Sequence, residues 1–143
     1  MRTFRENRAF TLIELIVVIV VVGVLAGLAV PRFSNTIEKS RIAEAINILA
    51  TLRDAQEVYK LENGGYLLGP SPDPLDVTIP PSSNFNAPTV AADPIASIQR
   101  NAGGYNYTLT IDRVGVVKCA GTTPANICAR LGCAGGAGSD QCN

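Results

Sequence analysis

Glu14 is a single carboxylate at the edge of a long apolar run. It follows Arg8-Ala9-Phe10-Thr11-Leu12-Ile13, and from Leu15 to Val30 no charged or polar side chain interrupts the chain. An ionised group within a membrane span costs about 2.5–3.5 kcal/mol even on the lenient insertion scale. Such a group calls for a specific cationic partner, and a cut between Ala9 and Phe10 would create one in the α-amine of Phe10.

The other candidate chemistry is cysteine. Cys119, Cys128, Cys133 and Cys142 all fall in the last 25 residues. An even count in an exported, loop-rich segment points to disulfides. Zinc is disfavoured because no Cys-x2-Cys pair occurs and the chain has no histidine. Two disulfides are expected, and three connectivities are open.

Little is left for catalysis. Without histidine the usual general base is missing, and paired cysteines offer no thiol nucleophile. Gly135-Gly136-Ala137-Gly138 follows no strand, so it reads as a flexible segment rather than a phosphate loop. Asp73, Asp76, Asp112 and Asp140 are too sparse to promise a calcium site. The expectation is a chain that is not an enzyme and uses no cofactor.

The elements that position these residues can be read from charge and period. The whole chain holds 12 basic and 12 acidic side chains. Residues 1–9 take Arg2, Arg5 and Arg8 against Glu6, a net of +2, which leaves the remainder at −2. Basic residues before an apolar span keep that end in the cytoplasm. Within residues 10–31, the 21 residues before Pro31 then provide about 31 Å of helix at 1.5 Å per residue, enough for a bilayer core. Gly23 and Gly27 allow close helix approach. With Pro31, which lacks a donor, they make the weak section of this helix. An ordinary secretory signal cut after Ala29 is the competing reading. The charge of Glu14 and the length of the apolar run argue against it.

Residues 32–62 turn amphipathic. At 100° per residue Ile37, Ala45, Ile48, Leu49, Leu52, Ala55 and Tyr59 gather on one stripe, with Lys39, Arg53, Glu57 and Lys60 opposite. Ile42 and Ile46 fall outside the stripe, which fits either a second buried surface against neighbouring subunits or ordinary scattered surface apolar residues. Asn63-Gly64-Gly65 ends the helix. The head, residues 63–143, begins with a loop holding seven of the nine prolines between Gly69 and Pro94, with one short strand expected over Leu75–Ile79. Tyr105, Tyr107, Leu109 and Ile111 alternate with polar residues as a half-buried strand. Asp112-Arg113 would turn the chain into a second strand over Val114–Lys118. Beyond Cys119 large apolar residues are too few for a core, so the tail is expected to lie on the surface, held by its disulfides.

Arg8-Ala9-Phe10-Thr11-Leu12-Ile13-Glu14-Leu15 resembles the class III signal of type IV pilins and of the pseudopilins of type II secretion. Tyr59-Lys60-Leu61-Glu62-Asn63-Gly64-Gly65-Tyr66 is similar to the Tyr-x-x-x-Asn-Gly-x-Tyr helix end of that family. Ala9 stands where the family usually has Gly. The resemblance implies an α+β fold: a long N-terminal helix on a small antiparallel sheet, with a disulfide-held C-terminal segment. It implies cleavage between Ala9 and Phe10 and N-methylation of Phe10 by a prepilin peptidase, and filament assembly through Phe10 and Glu14. The implied partners are membrane lipid before assembly, an inner-membrane assembly platform, and further copies in a helical filament. The precursor would lie in the inner membrane with its N-terminus cytoplasmic and its head periplasmic.

The leading expectation is a type IV pilus subunit, extracellular once assembled. Four C-terminal cysteines favour it, because major pseudopilins commonly lack them. The alternatives are a type II secretion pseudopilin and a minor or competence pilin. Nucleic acid is not an expected partner, since after Gly64 four basic residues face five acidic ones.

Overall fold

The computed structural model describes residues 10–134 and 140–142. The leader, including Ala9, and the Gly135–Gly138 segment lie outside them. The chain divides into two compact units, Met1–Thr36 and Ile37–Asn143. Helix α1, Leu12–Asn63, is 52 residues long and begins two residues after its expected start. No single helix among the described residues is long and apolar enough to cross a membrane. Leu12–Leu28 and Phe33–Asn63 pass that test only together.

In the second unit, α1 contributes a row that recurs every three or four residues: Glu38, Ile42, Ala45, Leu49, Leu52 and Gln56, all buried. This row corrects the phase expected from the apolar residues alone. Ile42 belongs to the chain's own core and Ile46 packs against it, so neither is held for a neighbouring subunit. Ile37, expected on the buried stripe, is 46% exposed. The helix is turned relative to the apolar average because Glu38 and Gln56 are buried with the core.

The sheet opposite is antiparallel, in the order β1-β2-β3-β4-β6-β5. Its long strands are β2 (Ala96–Ala102), β3 (Tyr105–Ile111) and β4 (Val117–Thr123). Short strands β1 (Thr89–Val90), β5 (Cys133–Ala134) and β6 (Asp140–Cys142) extend it. Alternation places Ile98 of β2, Tyr107, Leu109 and Ile111 of β3, and Val117 and Cys119 of β4 in the core. The β3 reading from sequence holds.

Three expectations are corrected. Leu75–Ile79 is not a strand. A 3-10 turn occupies Asp73–Leu75, where Pro74 has no N–H to give a ladder, and Asp76 follows in the left-handed region. The second strand starts at Val117 rather than Val114, because Asp112 Oδ1 accepts the Val116 N–H at 2.8 Å and closes a longer turn. The tail is not a surface cover. Helix α2 (Ile127–Arg130) buries Ile127 and Cys128, Leu131 and Cys133 join the core, and β6 pairs with β4. The disulfides that allow this are Cys119–Cys128, tying β4 to α2, and Cys133–Cys142, tying β5 to β6. Each spans only nine positions in sequence. Small residues that cannot form a core alone are thereby pinned onto one built by others.

Leu52 is fully buried at the centre of this packing. Leu52→Ala should lower stability by about 2–5 kcal/mol, read as a shift of the urea midpoint of the detergent-solubilised chain.

Candidate functional site

The first turn of α1 is a capping arrangement that the sequence reading did not identify. Thr11 precedes the helix, and its Oγ1 accepts the Glu14 N–H at 3.3 Å while its hydroxyl faces Glu14 Oε2 at 3.5 Å. This is the Thr-x-x-Glu capping pattern. The Glu14 carboxylate also sits at the positive end of the helix dipole. Phe10 lies just outside the helix, before the cap residue Thr11. Glu14 is exposed, with carboxylate capacity left over.

Beyond it the helix is apolar on every side. Its large apolar side chains from Phe10 to Leu28 are 46–79% exposed. A bare surface of this extent needs lipid or other copies to cover it. At Gly23 and Gly27 an added Cβ would meet nothing within 4 Å, so both are open to a close external approach. Pro31 lies within the helix.

In the second unit the structure assembles a charged site of its own. Glu38 is 0% exposed. Its Oε1 accepts the Tyr107 hydroxyl at 2.8 Å and pairs with Arg100 Nε, and its Oε2 accepts Arg41 Nη1 at 2.8 Å. Arg100 is buried too and donates Nη1 to the Asn84 carbonyl at 2.6 Å. Its guanidinium lies between the Phe85 and Tyr105 rings, 5.9 and 5.5 Å from their centroids. Tyr107 is aimed inward where β3 meets β4 at an irregularity opposite Gly121. A side chain at Gly121 would collide with the Tyr107 backbone at 2.9 Å. Burial first, then the bond to Glu38 and its negative charge, hold the Tyr107 hydroxyl well above the usual tyrosine range.

A second polar group lies at the helix end. The Tyr66 hydroxyl donates to Glu57 at 2.8 Å and accepts from Lys60 at 3.1 Å. That bond keeps the Lys60 ammonium above its ordinary range. Gln56 bonds both the N–H and the carbonyl of Leu67 at 2.9 Å, clamping the loop after the helix.

Asp73, Asp76 and Asp112, weighed for calcium, belong to local turns, and the Asp140 side chain lies outside what the structure describes. Asp73 opens the 3-10 turn and Asp76 follows it, while Asp112 serves the β3–β4 turn and faces Lys118 at 3.8 Å. Among the described residues no three acidic side chains converge on a cation, and no step through calcium is derived. The four cysteines form the two disulfides and carry no free thiol.

Two outcomes follow from the buried cluster. Glu38→Gln leaves Arg100 buried without its counter-charge and should cost about 3–5 kcal/mol in a urea titration, whereas Glu38→Gln with Arg100→Met should cost less. In the unfolded chain Tyr107 loses its proton near pH 10, but in the folded chain it keeps it. The folded state therefore binds more protons above that pH, and stability falls as pH rises. Tyr107→Phe should flatten the decline by about 1.4 kcal/mol per pH unit between pH 10 and 12.

Comparison with known proteins bears on part of the chain. The family described as the prokaryotic N-terminal methylation motif matches residues 4–30. The type II secretion system core protein G of Escherichia coli K12 is 42% identical over 66 residues, 46% of each chain. That of Aeromonas hydrophila is 36% identical over 91 residues, 63% of this chain and 57% of its own. That of Pectobacterium carotovorum is 44% identical over 61 residues, 43% of this chain and 39% of its own. The chain thus spans about half the length of the curated relatives it matches. No solved structure matches. Motif and relatives agree: the chain carries the prokaryotic N-terminal methylation motif and is similar to type II secretion system core proteins G over about half their length.

Proposed function

We propose that the chain is a structural, non-catalytic subunit of a type II secretion pseudopilus. This reverses the order expected from sequence, where the pilus stood first. What supports the change is that the relatives reported above are core protein G of type II secretion systems. The single observation that carries a filament role is the apolar helix exposed on every side behind a capped Glu14. A pilus subunit is the second reading, favoured by the two disulfides in the C-terminal segment.

The basic leader holds the N-terminus in the cytoplasm and the apolar helix inserts in the inner membrane, with the head outside it. A prepilin peptidase cuts between Ala9 and Phe10 and methylates the new amine, which stays cationic. That amine is delivered at the helix end where Glu14 already sits. Glu14 of an incoming copy faces the Phe10 amine of its neighbour as the helices stagger. In a low-dielectric bundle that pairing is directional and sets register. Cohesion comes from burying the apolar side chains of successive copies, with Gly23 and Gly27 letting backbones approach. The inner-membrane assembly platform is where copies are added.

Intact mass with N-terminal fragmentation of membrane and sheared fractions checks processing, and the expected chain starts at methyl-Phe10. Deleting the chain should empty the medium of type II cargo. Cargo unchanged together with lost surface fibres would favour the pilus. Glu14→Ala should be cut and methylated but leave fibres absent or sparse. Normal fibre yield from both Glu14→Ala and Glu14→Gln would end the register role.

A further inference from the structure

Asn106-Tyr107-Thr108 is the one Asn-x-Ser/Thr triplet in the chain. In an exported segment this is the acceptor pattern for sugar attached to asparagine. The carboxamide nitrogen takes the sugar, and the transferase grips the hydroxyl two residues on. A triplet so short also arises by chance, so its place in the fold has to decide. In β3 successive side chains face opposite sides of the sheet. Tyr107 is buried and donates to Glu38 at 2.8 Å, so Asn106 and Thr108 share the outer face. Asn106 is exposed and Thr108 half-buried.

A run of amides crosses that face. Asn86 Nδ2 donates to Gln99 Oε1, and Gln99 Nε2 donates to Asn106 Oδ1, both at 3.4 Å. The Asn106 oxygen is therefore turned toward β2. Its Nδ2 and the Thr108 hydroxyl have no hydrogen-bond partner among the described residues. The outer face around them is open. Asn106 pairs with Asn101 of β2 and Thr123 of β4, both exposed. Ala102, Gly103 and Gly104 just before it are exposed too, and none offers more than a methyl group. The β3–β4 register shifts between Asn106 and Tyr107, so Asn106 lies past the regular ladder.

We propose that Asn106 is a site of N-linked glycosylation, with a sugar carried on a diphosphate as donor. Asn106 Nδ2 bonds to the anomeric carbon as that carbon's bond to the diphosphate oxygen breaks. The diphosphate leaves with the electron pair, and one amide proton passes to a base of the transferase. Nothing is oxidised or reduced. The sugar is added before the head folds, because β3 is hydrogen-bonded on both sides and Tyr107 ties the triplet to the core. Folding then leaves the sugar on the outer face, where no side chain has to move to hold it. The proposal rests on the reading above that puts the head outside the inner membrane, so that the unfolded head passes a transferase during export.

The test uses the chain from the membrane and sheared fractions of its own cells. Digested and fragmented by electron transfer, it should show Asn106 carrying one or more sugar residues. Thr108→Ala keeps the asparagine and should lose the added mass completely, whereas Thr108→Ser should retain it. Asn106→Gln should be bare. The altered side chains lie on the outer face, so the core is untouched. A bare Asn106 in the unaltered chain overturns the proposal, and so does added mass that persists in Thr108→Ala. Protease added to spheroplasts tells this failure from that of the topology. A head that is digested while Asn106 is bare overturns the glycosylation alone. A head protected from protease, with Asn106 bare, sinks the export reading as well.

Discussion

A carboxylate shut away from water must have its charge and its lone pairs answered, and Glu38 imposes that demand on the head. Its partners come from three places: Arg41 on its own helix, Arg100 on β2 and Tyr107 on β3. A one-residue slip of β2 would carry Arg100 to the other face of the sheet, and turning the helix by one residue would draw Glu38 out of the cluster. Packing of Leu49 and Leu52 alone would tolerate either change more readily than an unpaired buried charge does. The cluster also reaches into the irregular region, because Arg100 holds the Asn84 carbonyl and Glu44 holds the Asn84 amide at 3.2 Å. A loop without regular structure is thereby fastened at both its main chain and its side chain.

Two of the helix's carboxylates have opposite solutions. Glu38 is satisfied wholly within one chain and belongs to folding. Glu14 is engaged by its own cap, at 3.3 and 3.5 Å, and stands at the border of a surface that the described residues leave uncovered. Its remaining capacity points outward. The head is thus fixed by contacts within one chain, while the apolar end is left uncovered by it. Separating the two tasks lets a preformed unit be added to an assembly with little rearrangement of its core.

The tail shows how a segment poor in large side chains joins a core. Cys119 and Cys133 are buried beside Ile127 and Leu131, and the short strands β5 and β6 extend a sheet whose centre is built by β2, β3 and β4. Disulfide closure reduces the freedom of the unfolded tail, so a few apolar contacts are enough to hold it. A groove beside the helix end reflects the opposite condition. Prolines in the Gly69–Pro94 stretch withhold donors from the sheet, and the loop they stiffen follows the helix while leaving a channel between them.

Local periodicity and local chemistry were enough to find α1, β3, the processing signal around Phe10 and the pairing of all cysteines, because each is written within a few residues of chain. The same local view misjudged Ile37, Ile42 and Ile46. An apolar average ignores polar residues that share the buried phase, and Glu38 and Gln56 lie on that row with Ile42, Ala45, Leu49 and Leu52. Their recurrence every three or four residues was a signal that could have been read. What sequence could not carry was the identity of distant partners. Arg100 and Tyr107 lie 62 and 69 positions beyond Glu38, and neither the choice of one disulfide pairing among three nor the edge strands β1, β5 and β6 has a local signature. The sequence by itself determined the long helix, the strand β3 and the methylation motif at the N-terminus, because each is written in a local pattern. Only the tertiary structure decided which charges are buried together, because that depends on which residues the sheet's register places opposite the helix.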